Sequence, residues 1–265
     1  MHVLRSLPFA FVGVVHIRPL PAGPVATAGF VDARARALAD AAALVQGGAD
    51  ALILENFGDA PFPSGAVDPH VVAFVAILAS EIRQRHPTVR VGINLLRNDA
   101  RGAIGAAAAS GAHFVRVNIH TGAMVTDQGL IQGDAHRTLR YRRELEAGAV
   151  GIAADVFVKH AVPLGQPDVG AVAADTFRRG GADVLIVTGE GTGRPADAAR
   201  VAVVRAAVPE AKVWVGSGVT VASALMWRQA AHGAIVGTAL HHDEDVGAPI
   251  DPNRVRSMAE AFQRF

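Results

Sequence analysis

Short apolar runs alternate with longer segments rich in Ala, Arg and Leu, and the alternation repeats eight times along the chain. The apolar runs predict strands at 10–16, 50–56, 89–95, 113–120, 150–159, 183–188, 212–217 and 233–239. The segments between and after them predict helices at 31–47, 69–86, 99–110, 134–147, 168–180, 196–208, 221–231 and 251–264. Eight βα units in 265 residues match a closed parallel barrel, whereas a doubly wound open sheet normally uses fewer strands. We therefore predict an α/β protein with one (βα)8 TIM-barrel domain over 1–265, in which eight parallel strands lie inside eight outer helices.

Short Gly-containing turns precede every second predicted strand. Gly47-Gly48-Ala49-Asp50 before strand two matches Gly180-Gly181-Ala182-Asp183 before strand six. Ser110-Gly111-Ala112-His113 before strand four resembles Ala231-His232-Gly233-Ala234 before strand eight. Each Gly is expected to end a helix in the left-handed conformation. The pattern suits two similar half-barrels, and it equally suits a general preference of such turns for Gly-Ala-Asp.

Polar residues are expected inside the barrel at the carboxyl ends of strands three, four and five. Because side chains alternate between the two faces of a strand, the apolar positions that pack against helices leave the others pointing inward. The inward set is Gly92 and Asn94, then Arg116, Asn118 and His120, then Asp155, Phe157 and Lys159. Strand one ends at His16, and strand two ends at Glu55-Asn56. Active sites of TIM-barrel enzymes lie at this end of the strands.

These residue types suit acid/base chemistry. Either Asp155 or Glu55 would act as a general base or accept a ligand hydroxyl, and Lys159 would serve as an electrostatic anchor or a Schiff-base amine. The alternative is that Asp155 and Arg116 form a buried structural ion pair and Lys159 is solvated. Asn118 completes the predicted catalytic set with Glu55, Asp155 and Lys159.

Neutral polar residues are predicted to bind the substrate, because amides and imidazoles can order hydroxyls or stabilise an oxyanion. This set is His16, Asn56, Asn94 and His120. A divalent metal, if one is used, would be held by His16, Glu55, His120 and Asp155, although no short ligand spacing indicates it. The sequence requires no cofactor.

Strands six to eight end in glycine-rich, nearly uncharged turns. Barrels frequently bind phosphate near the loops after strands seven and eight, where Gly lets the backbone N–H groups approach the anion. The predicted phosphate-binding residues are Gly189, Gly216, Ser217, Gly218, Gly237 and Thr238. The loops at 17–30, 57–67 and 121–133 are long enough to be lids or oligomer contacts, so we expect a homo-oligomer.

Composition narrows the class of partner. The 25 Lys and Arg residues balance 24 Asp and Glu residues, which disfavours nucleic acid and leaves small molecules or proteins. No uncharged apolar run reaches the ~20 residues that span a bilayer. The chain has no Cys, which excludes disulfides, thiolate metal sites and a Cys nucleophile. A cytoplasmic location is the simplest expectation.

Several stretches together resemble the BtpA/SgcQ family. They are Gly13-Val14-Val15-His16 with Pro19-Leu20-Pro21, the stretch from Leu54-Glu55-Asn56-Phe57-Gly58-Asp59 to Phe62, Gly92-Ile93-Asn94-Leu95-Leu96-Arg97-Asn98-Asp99, Phe114 to Asn118, Asp155 to His160, and Val187-Thr188-Gly189. The resemblance spans nearly the whole chain, and the Glu-Asn-Phe-Gly-Asp stretch is its most specific part. It implies a ribulose-phosphate-binding type of barrel. The founding member is associated with photosystem I biogenesis, and another member is described as a nucleosidase. The family supplies no established catalytic residues, so the site predictions rest on strand alternation.

Two classes of function follow. The first is an enzyme of nucleosidase, isomerase or lyase type that acts on a phosphorylated sugar, a nucleoside or a nucleoside phosphate. The second is a nonenzymatic factor for the assembly or stability of a protein complex. The second class predicts an empty or apolar barrel mouth and a large exposed interaction patch.

Overall fold

The computed structural model describes residue 4 and residues 9–23 and 29–263. The barrel contains eight parallel strands, which are β1 (Ala10–His16), β2 (Ala51–Glu55), β3 (Arg90–Asn94), β4 (Phe114–Val117), β7 (Gly151–Asp155), β9 (Val184–Thr188), β10 (Lys212–Gly216) and β11 (Gly233–Val236). They close in the order β1-β11-β10-β9-β7-β4-β3-β2. The predicted closed barrel is therefore confirmed.

Eight helices alternate with the barrel strands. They are α1 (Phe30–Gly47), α2 (Pro69–Arg85), α3 (Ala100–Ser110), α4 (Ala135–Glu144), α5 (Val169–Ala174), α6 (Ala198–Ala207), α7 (Ala224–Ala230) and α8 (Pro252–Gln263). A π-helical turn at Asp175–Arg179 extends α5. Residue 264 of the predicted last helix and residues 24–28 of the first long loop lie outside the described residues. None of the described helices has the length and apolar character that a bilayer crossing requires.

The fourth and fifth barrel strands are shorter than predicted, because side chains replace the strand ladder near their ends. The Asn98 side chain accepts a hydrogen bond from the Ile119 N–H at 2.8 Å and donates one to the Ile119 carbonyl at 2.9 Å. The Thr188 hydroxyl donates to the Phe157 carbonyl at 3.1 Å. Residues beyond Val117 and Asp155 therefore leave the barrel wall, and strand alternation no longer decides where they point.

A second, antiparallel sheet was not predicted. It contains β5 (Ala123–Thr126), β6 (Gly129–Gln132) and β8 (Ala161–Pro163) in the order β6-β5-β8. Met124 and Ile131 are buried against Ile119 and Val158. Strands of three or four residues carry too little periodicity to be recognised. The segment 121–133, which was predicted to be a loop, therefore contains a β-hairpin.

The lower half of the barrel is filled by apolar side chains. Phe114 and Trp214 meet edge to face, with ring centroids 5.9 Å apart, among inward residues such as Val12 and Ile53. A side chain at Gly92 would overlap the Phe114 ring, so this strand position needs glycine. The apolar core closes the barrel from below and leaves only the carboxyl-terminal end for polar groups.

The four repeated turns share one hydrogen bond between a side chain and the backbone. The side chain of the residue before β2, β4, β9 or β11 accepts this hydrogen bond from the N–H of a residue in the preceding barrel strand. The pairs are Asp50 with Phe11 at 2.8 Å, His113 with Val91 at 3.0 Å, Asp183 with Ile152 at 3.0 Å and His232 with Val213 at 3.1 Å. Asp and His side chains are therefore equivalent as hydrogen-bond acceptors at these positions.

The glycines of these turns follow the expectation in three cases. Gly48, Gly111 and Gly181 have φ values of 99°, 71° and 65°, as a left-handed helix end requires. Gly233 differs, because it lies within β11, where an added Cβ would approach the Trp214 indole at 2.6 Å. The similarity between 110–113 and 231–234 thus reflects the His acceptor rather than an equivalent glycine.

We predict that His113 makes the fold acid-sensitive. Its Nδ1 accepts the Val91 N–H, and burial together with the Arg83 charge lowers the pKa of His113 below 6.5. The unfolded chain therefore binds the proton first, so this stability is complete above about pH 6.5 and is lost as the pH falls below it. His113→Ala should lower the free energy of unfolding at pH 7.5 by about 1 kcal/mol, measured by urea denaturation.

His113→Asp is the matched control, because Asp50 and Asp183 already occupy equivalent positions. This variant should keep the neutral-pH stability and lose less stability than wild type between pH 7 and 5. An unchanged pH dependence in both variants would show that His113 does not contribute to it.

Candidate functional site

Five adjacent barrel strands place polar side chains at the carboxyl-terminal mouth. His16, Glu55 and Asn94 lie at paired positions of β1, β2 and β3, Arg116 follows on β4, and Asp155 is the last residue of β7. All but the half-buried His16 are almost completely shielded from solvent. The strand register therefore concentrates charged groups in one buried layer above the apolar core.

Arg116 lies at the centre of this layer. Its Nη2 and Nε donate to the two Asp155 carboxylate oxygens at 3.0 and 3.4 Å. Its Nη1 is 3.7 Å from Glu55 Oε2. A buried guanidinium needs such counter-charges because desolvation of an unpaired cation is costly.

Both carboxylate oxygens of Asp155 accept hydrogen bonds from neighbouring side chains. The Asn118 amide also donates to Asp155 Oδ2 at 3.1 Å, and the Asn94 amide donates to Asn118 Oδ1 at 2.8 Å. The structure thus contains the Asp155–Arg116 ion pair that the sequence left as the alternative to a general base. Among the described residues, none donates to the buried Asn94 Oδ1.

Two adjoining cavities lie at the barrel mouth, and Glu55, Lys159 and Thr192 line both of them. We call them the small lobe and the large lobe of the mouth cavity. The large lobe has a volume of about 410 Å³ and the small lobe about 80 Å³. The large lobe is lined by Glu55, Phe57, Ala60, Phe62, Leu96, Arg97, Asn118, Asp127, Lys159, His160 and Thr192. Of the two carboxylates predicted to act, only Glu55 faces these lobes.

Lys159 reaches the cavity because β7 ends at Asp155 and the following segment turns over the mouth. Its Nζ donates to Thr192 Oγ1 at 3.3 Å. Burial lowers the pKa of the Lys159 ammonium, and the Glu55 carboxylate opposes that change. Lys159 is half-buried, and it lines the cavity together with Glu55.

Arg97 is a cavity residue that strand alternation missed. It is 4% exposed, its Nη2 donates to the Lys159 carbonyl at 2.6 Å, and its Nε has no hydrogen-bond partner among the described residues. Asn56 Oδ1 accepts the Leu96 N–H at 2.7 Å and so holds the preceding residue. Asn56, predicted to bind substrate, thus supports the backbone next to Arg97. The only sequence signal for Arg97 is a charge directly after an apolar strand.

His16 lines the small lobe, where its ring lies 4.9 Å from the Phe57 ring. Its Nδ1 is 3.0 Å from Nε2 of His241, a residue that sequence patterns did not indicate. Burial, and then His241, lower the pKa of His16 well below its usual range.

Four of the six predicted phosphate-binding residues line the small lobe. They are Ser217, Gly218, Gly237 and Thr238. Gly189 instead packs against the backbone of 194–195, and Gly216 packs against Thr188. The structure therefore brings together the turns after β10 and β11, and the loop after β9 contributes Thr192 and Gly193 instead of Gly189.

His120 does not face the cavity. It is completely buried beyond the end of β4, and its Nε2 lies 2.8 Å from the Gly180 carbonyl. The predicted metal set of His16, Glu55, His120 and Asp155 is therefore not brought together, and Arg116 lies between its two carboxylates. Within the described part of the chain, no three His, Cys, Asp or Glu residues form a metal site.

Comparisons with known proteins agree with this architecture. The sequence profile of the BtpA family matches residues 9–264. A protein from a Synechocystis species named "Photosystem I biogenesis protein BtpA" is 44% identical over 251 residues, which cover 95% of this chain and 87% of that protein. An uncharacterised protein of Thermococcus kodakarensis is 39% identical over 94% of this chain and 93% of its own length.

Solved structures show a similar fold at low sequence identity. A phosphoribosyl anthranilate isomerase from Thermus thermophilus has a TM-score of 0.58 and 12% identity, and the match covers 96% of this chain and 98% of that chain. A 3-keto-L-gulonate-6-phosphate decarboxylase from Vibrio cholerae has a TM-score of 0.54 and 13% identity, with coverage of 98% and 99%.

We predict different stability losses for the two carboxylates beside Arg116. Asp155→Asn removes the closest counter-charge and should lower the free energy of unfolding by about 3 kcal/mol. Glu55→Gln removes the more distant charge and should cost only about 1 kcal/mol. Urea denaturation of both variants measures the difference. Equal losses, or a larger loss for Glu55→Gln, would contradict Asp155 as the main partner of Arg116.

Proposed function

The chain belongs to the BtpA family, and we propose that it is an enzyme that binds a phosphorylated sugar, a nucleoside or a nucleoside phosphate at the barrel mouth. Acid/base chemistry there would be of the nucleosidase, isomerase or lyase type. The observation that carries the proposal is a two-lobed cavity in which a carboxylate and an ammonium group, Glu55 and Lys159, line both lobes.

The small lobe suits the phosphate. In the described residues, the N–H groups of Ser217, Gly218 and Thr238 donate no hydrogen bond to another protein group. The positive φ values of Ser217 and Gly218, 67° and 60°, turn the backbone sharply at this wall. Free N–H groups beside the Lys159 ammonium would hold an anion without a cluster of basic side chains. Glu244 also lines the lobe but is paired with Arg254 at 3.4 Å.

The large lobe suits the rest of the ligand. Phe57 and Phe62 offer apolar ring surfaces, and Arg97 and His160 offer polar contacts. A sugar or base bound there would extend toward Glu55, which we assign as the general acid or base. Asp155 and Asn118 would act by holding Arg116 and thereby positioning Glu55.

The fold supports the choice of ligand class. The barrel is related to those of phosphosugar-processing enzymes, of which the isomerase and the decarboxylase above are examples. A homo-oligomer and a cytoplasmic location belong to the same proposal. Sedimentation velocity of the purified protein measures the oligomeric state.

An assembly factor is the second candidate, because the Synechocystis relative carries the name of a photosystem I biogenesis protein. Its supporting feature here is a groove between α1 and α2 with exposed Phe30, Val31 and Ile77. The charged mouth disfavours this candidate, which predicts an empty or apolar one. Burying Arg116 and Lys159 has a desolvation cost that a purely structural barrel can avoid.

We predict that a panel of phosphosugars, nucleosides and nucleotides contains a ligand that raises the Tm by several degrees. A ligand at about 100 times its Kd adds roughly 2.7 kcal/mol of stability. Lys159→Met should abolish the shift. Lys212→Met is the matched control, because Lys212 begins β10 at the opposite end of the barrel and is the only other lysine.

Glu55→Gln should retain the ligand-induced shift and lower turnover of a phosphosugar or nucleoside substrate by about 10²-fold or more. A panel without any stabilising compound would remove the support for the enzyme. Binding that survives Lys159→Met unchanged would place the ligand elsewhere.

The Schiff-base role of Lys159 makes a separate prediction. Borohydride reduction in the presence of a carbonyl-containing phosphosugar should attach the sugar to Lys159, and peptide mass spectrometry locates the adduct. Lys212 serves as the internal control for nonspecific labelling. Normal turnover by Lys159→Met would eliminate the Schiff base.

A further inference from the structure

Two histidines, one half-buried and one buried, connect the small lobe to a backbone carbonyl outside the barrel. His241 follows β11 and is completely buried. Its Nδ1 lies 2.7 Å from the Ala248 carbonyl oxygen, and its Nε2 lies 3.0 Å from His16 Nδ1. The contacts thus run from Ala248 through His241 to His16, at the end of β1.

The hydrogen-bonding capacity of each group sets the positions of the protons. A carbonyl oxygen only accepts, so His241 must carry its proton on Nδ1. In a neutral imidazole the other nitrogen is then an acceptor, so His16 Nδ1 must donate to His241 Nε2. By the same rule, His16 Nε2 has no proton and retains a free lone pair.

The free nitrogen lies beside the cavity. An added Cβ at Gly237 would lie 3.2 Å from His16 Nε2, so the absence of a side chain there leaves this nitrogen uncovered. His16, Glu55 and Lys159 all line the small lobe. Glu55 and Lys159 also line the large lobe. A ligand hydroxyl next to the bound phosphate could therefore lie between an imidazole acceptor and a carboxylate.

We propose that His241 is a positioning residue that fixes His16 in the Nδ1–H form, so that His16 Nε2 acts as a proton acceptor toward the ligand in the small lobe. His16 would take a proton from a hydroxyl, or from a carbon next to a carbonyl, and return it to the product. The Nδ1–H donated to His241 stays in place during the transfer. His16 and Glu55 then form the acid/base pair, instead of Glu55 and Asp155.

The surrounding charges are compatible with two neutral rings. Burial lowers the pKa of both His16 and His241. Lys159 also acts on His16 from the mouth, where Glu55 lines the same lobe. Asp40, Arg36 and Asp245 act on His241 from the outer side, with opposing effects on its pKa. A cationic His241 would reverse the direction of the hydrogen bond between the two rings, because His16 Nδ1 would then have to accept the proton of His241 Nε2–H.

The inference rests on the proposed function for the role of His16 in proton transfer, but its proton arrangement can be tested without a ligand. Long-range ¹H–¹⁵N spectra of the full chain labelled at histidine distinguish protonated from unprotonated ring nitrogens. His16→Asn identifies the His16 signals among the 11 histidines. At pH 7.5 we expect His16 to be protonated at Nδ1 alone. A wild-type spectrum with the proton on Nε2 would overturn the proposal.

Variants of His241 test whether it sets this arrangement. His241→Gln can place an amide oxygen where Nε2 lies, so it should retain the His16 signals. His241→Leu removes the acceptor and should shift His16 toward a mixture of protonated forms. Unchanged His16 signals in His241→Leu would refute the positioning role. If that variant does not fold, the wild-type and His241→Gln spectra still decide the arrangement.

Turnover separates this inference from the proposed function. With a substrate from the phosphosugar and nucleoside panel, His241→Leu should lower kcat on the order of 10²-fold with little change in KM, and His241→Gln should retain most activity. A kcat equal to that of wild type in His241→Leu would overturn the role of His241 in positioning His16 for catalysis. A panel without substrates would instead count against the proposed function, while the spectra would still report the proton positions.

Discussion

Burial of the Arg116 guanidinium is the constraint on which the mouth of this barrel depends. A cation above an apolar core has no water to solvate it, so the neighbouring strands must supply counter-charges. Asp155 supplies the closer one, and Glu55 the more distant one. Asp155 is consequently held on both oxygens, whereas Glu55 is left with a face toward the cavity.

Polar side chains next to this layer fix the positions of the loops. Asn98 and Asn56 take over backbone hydrogen bonds beyond the strand ends, and the Arg97 side chain holds the carbonyl of Lys159. These contacts direct the segments after β3, β4 and β7 over the mouth instead of letting the strands continue. A rigid barrel thereby presents Arg97 and Lys159, both outside the regular strands, at one cavity.

The cavity is electrically asymmetric. Charged side chains come from the β2, β3 and β7 side, while the turns after β10 and β11 contribute mainly backbone and hydroxyl groups. A ligand with an anionic end and a polar, hydroxyl-bearing end would match this division. The proposed pair of histidines adds a proton acceptor at the boundary that is neutral before the reaction, because burial disfavours the charged form of both rings.

The amino-acid sequence by itself determined the eight βα units and the inward direction of residues within regular strands, because alternation of apolar side chains is a local property. It therefore predicted Asn94, Arg116 and Asp155 as inward residues and the Ser217 and Gly237 turns as neighbours. It also marked the Asp and His residues of the repeated turns, although not their common role as acceptors of backbone hydrogen bonds.

Only the tertiary structure decided that Asp155 is paired, that His120 lies outside the mouth and that Lys159 turns back into it, since alternation ends with the strand. The partnership of His16 with His241 joins residues 225 positions apart. No local pattern encodes such a contact, because it exists only once the barrel has closed.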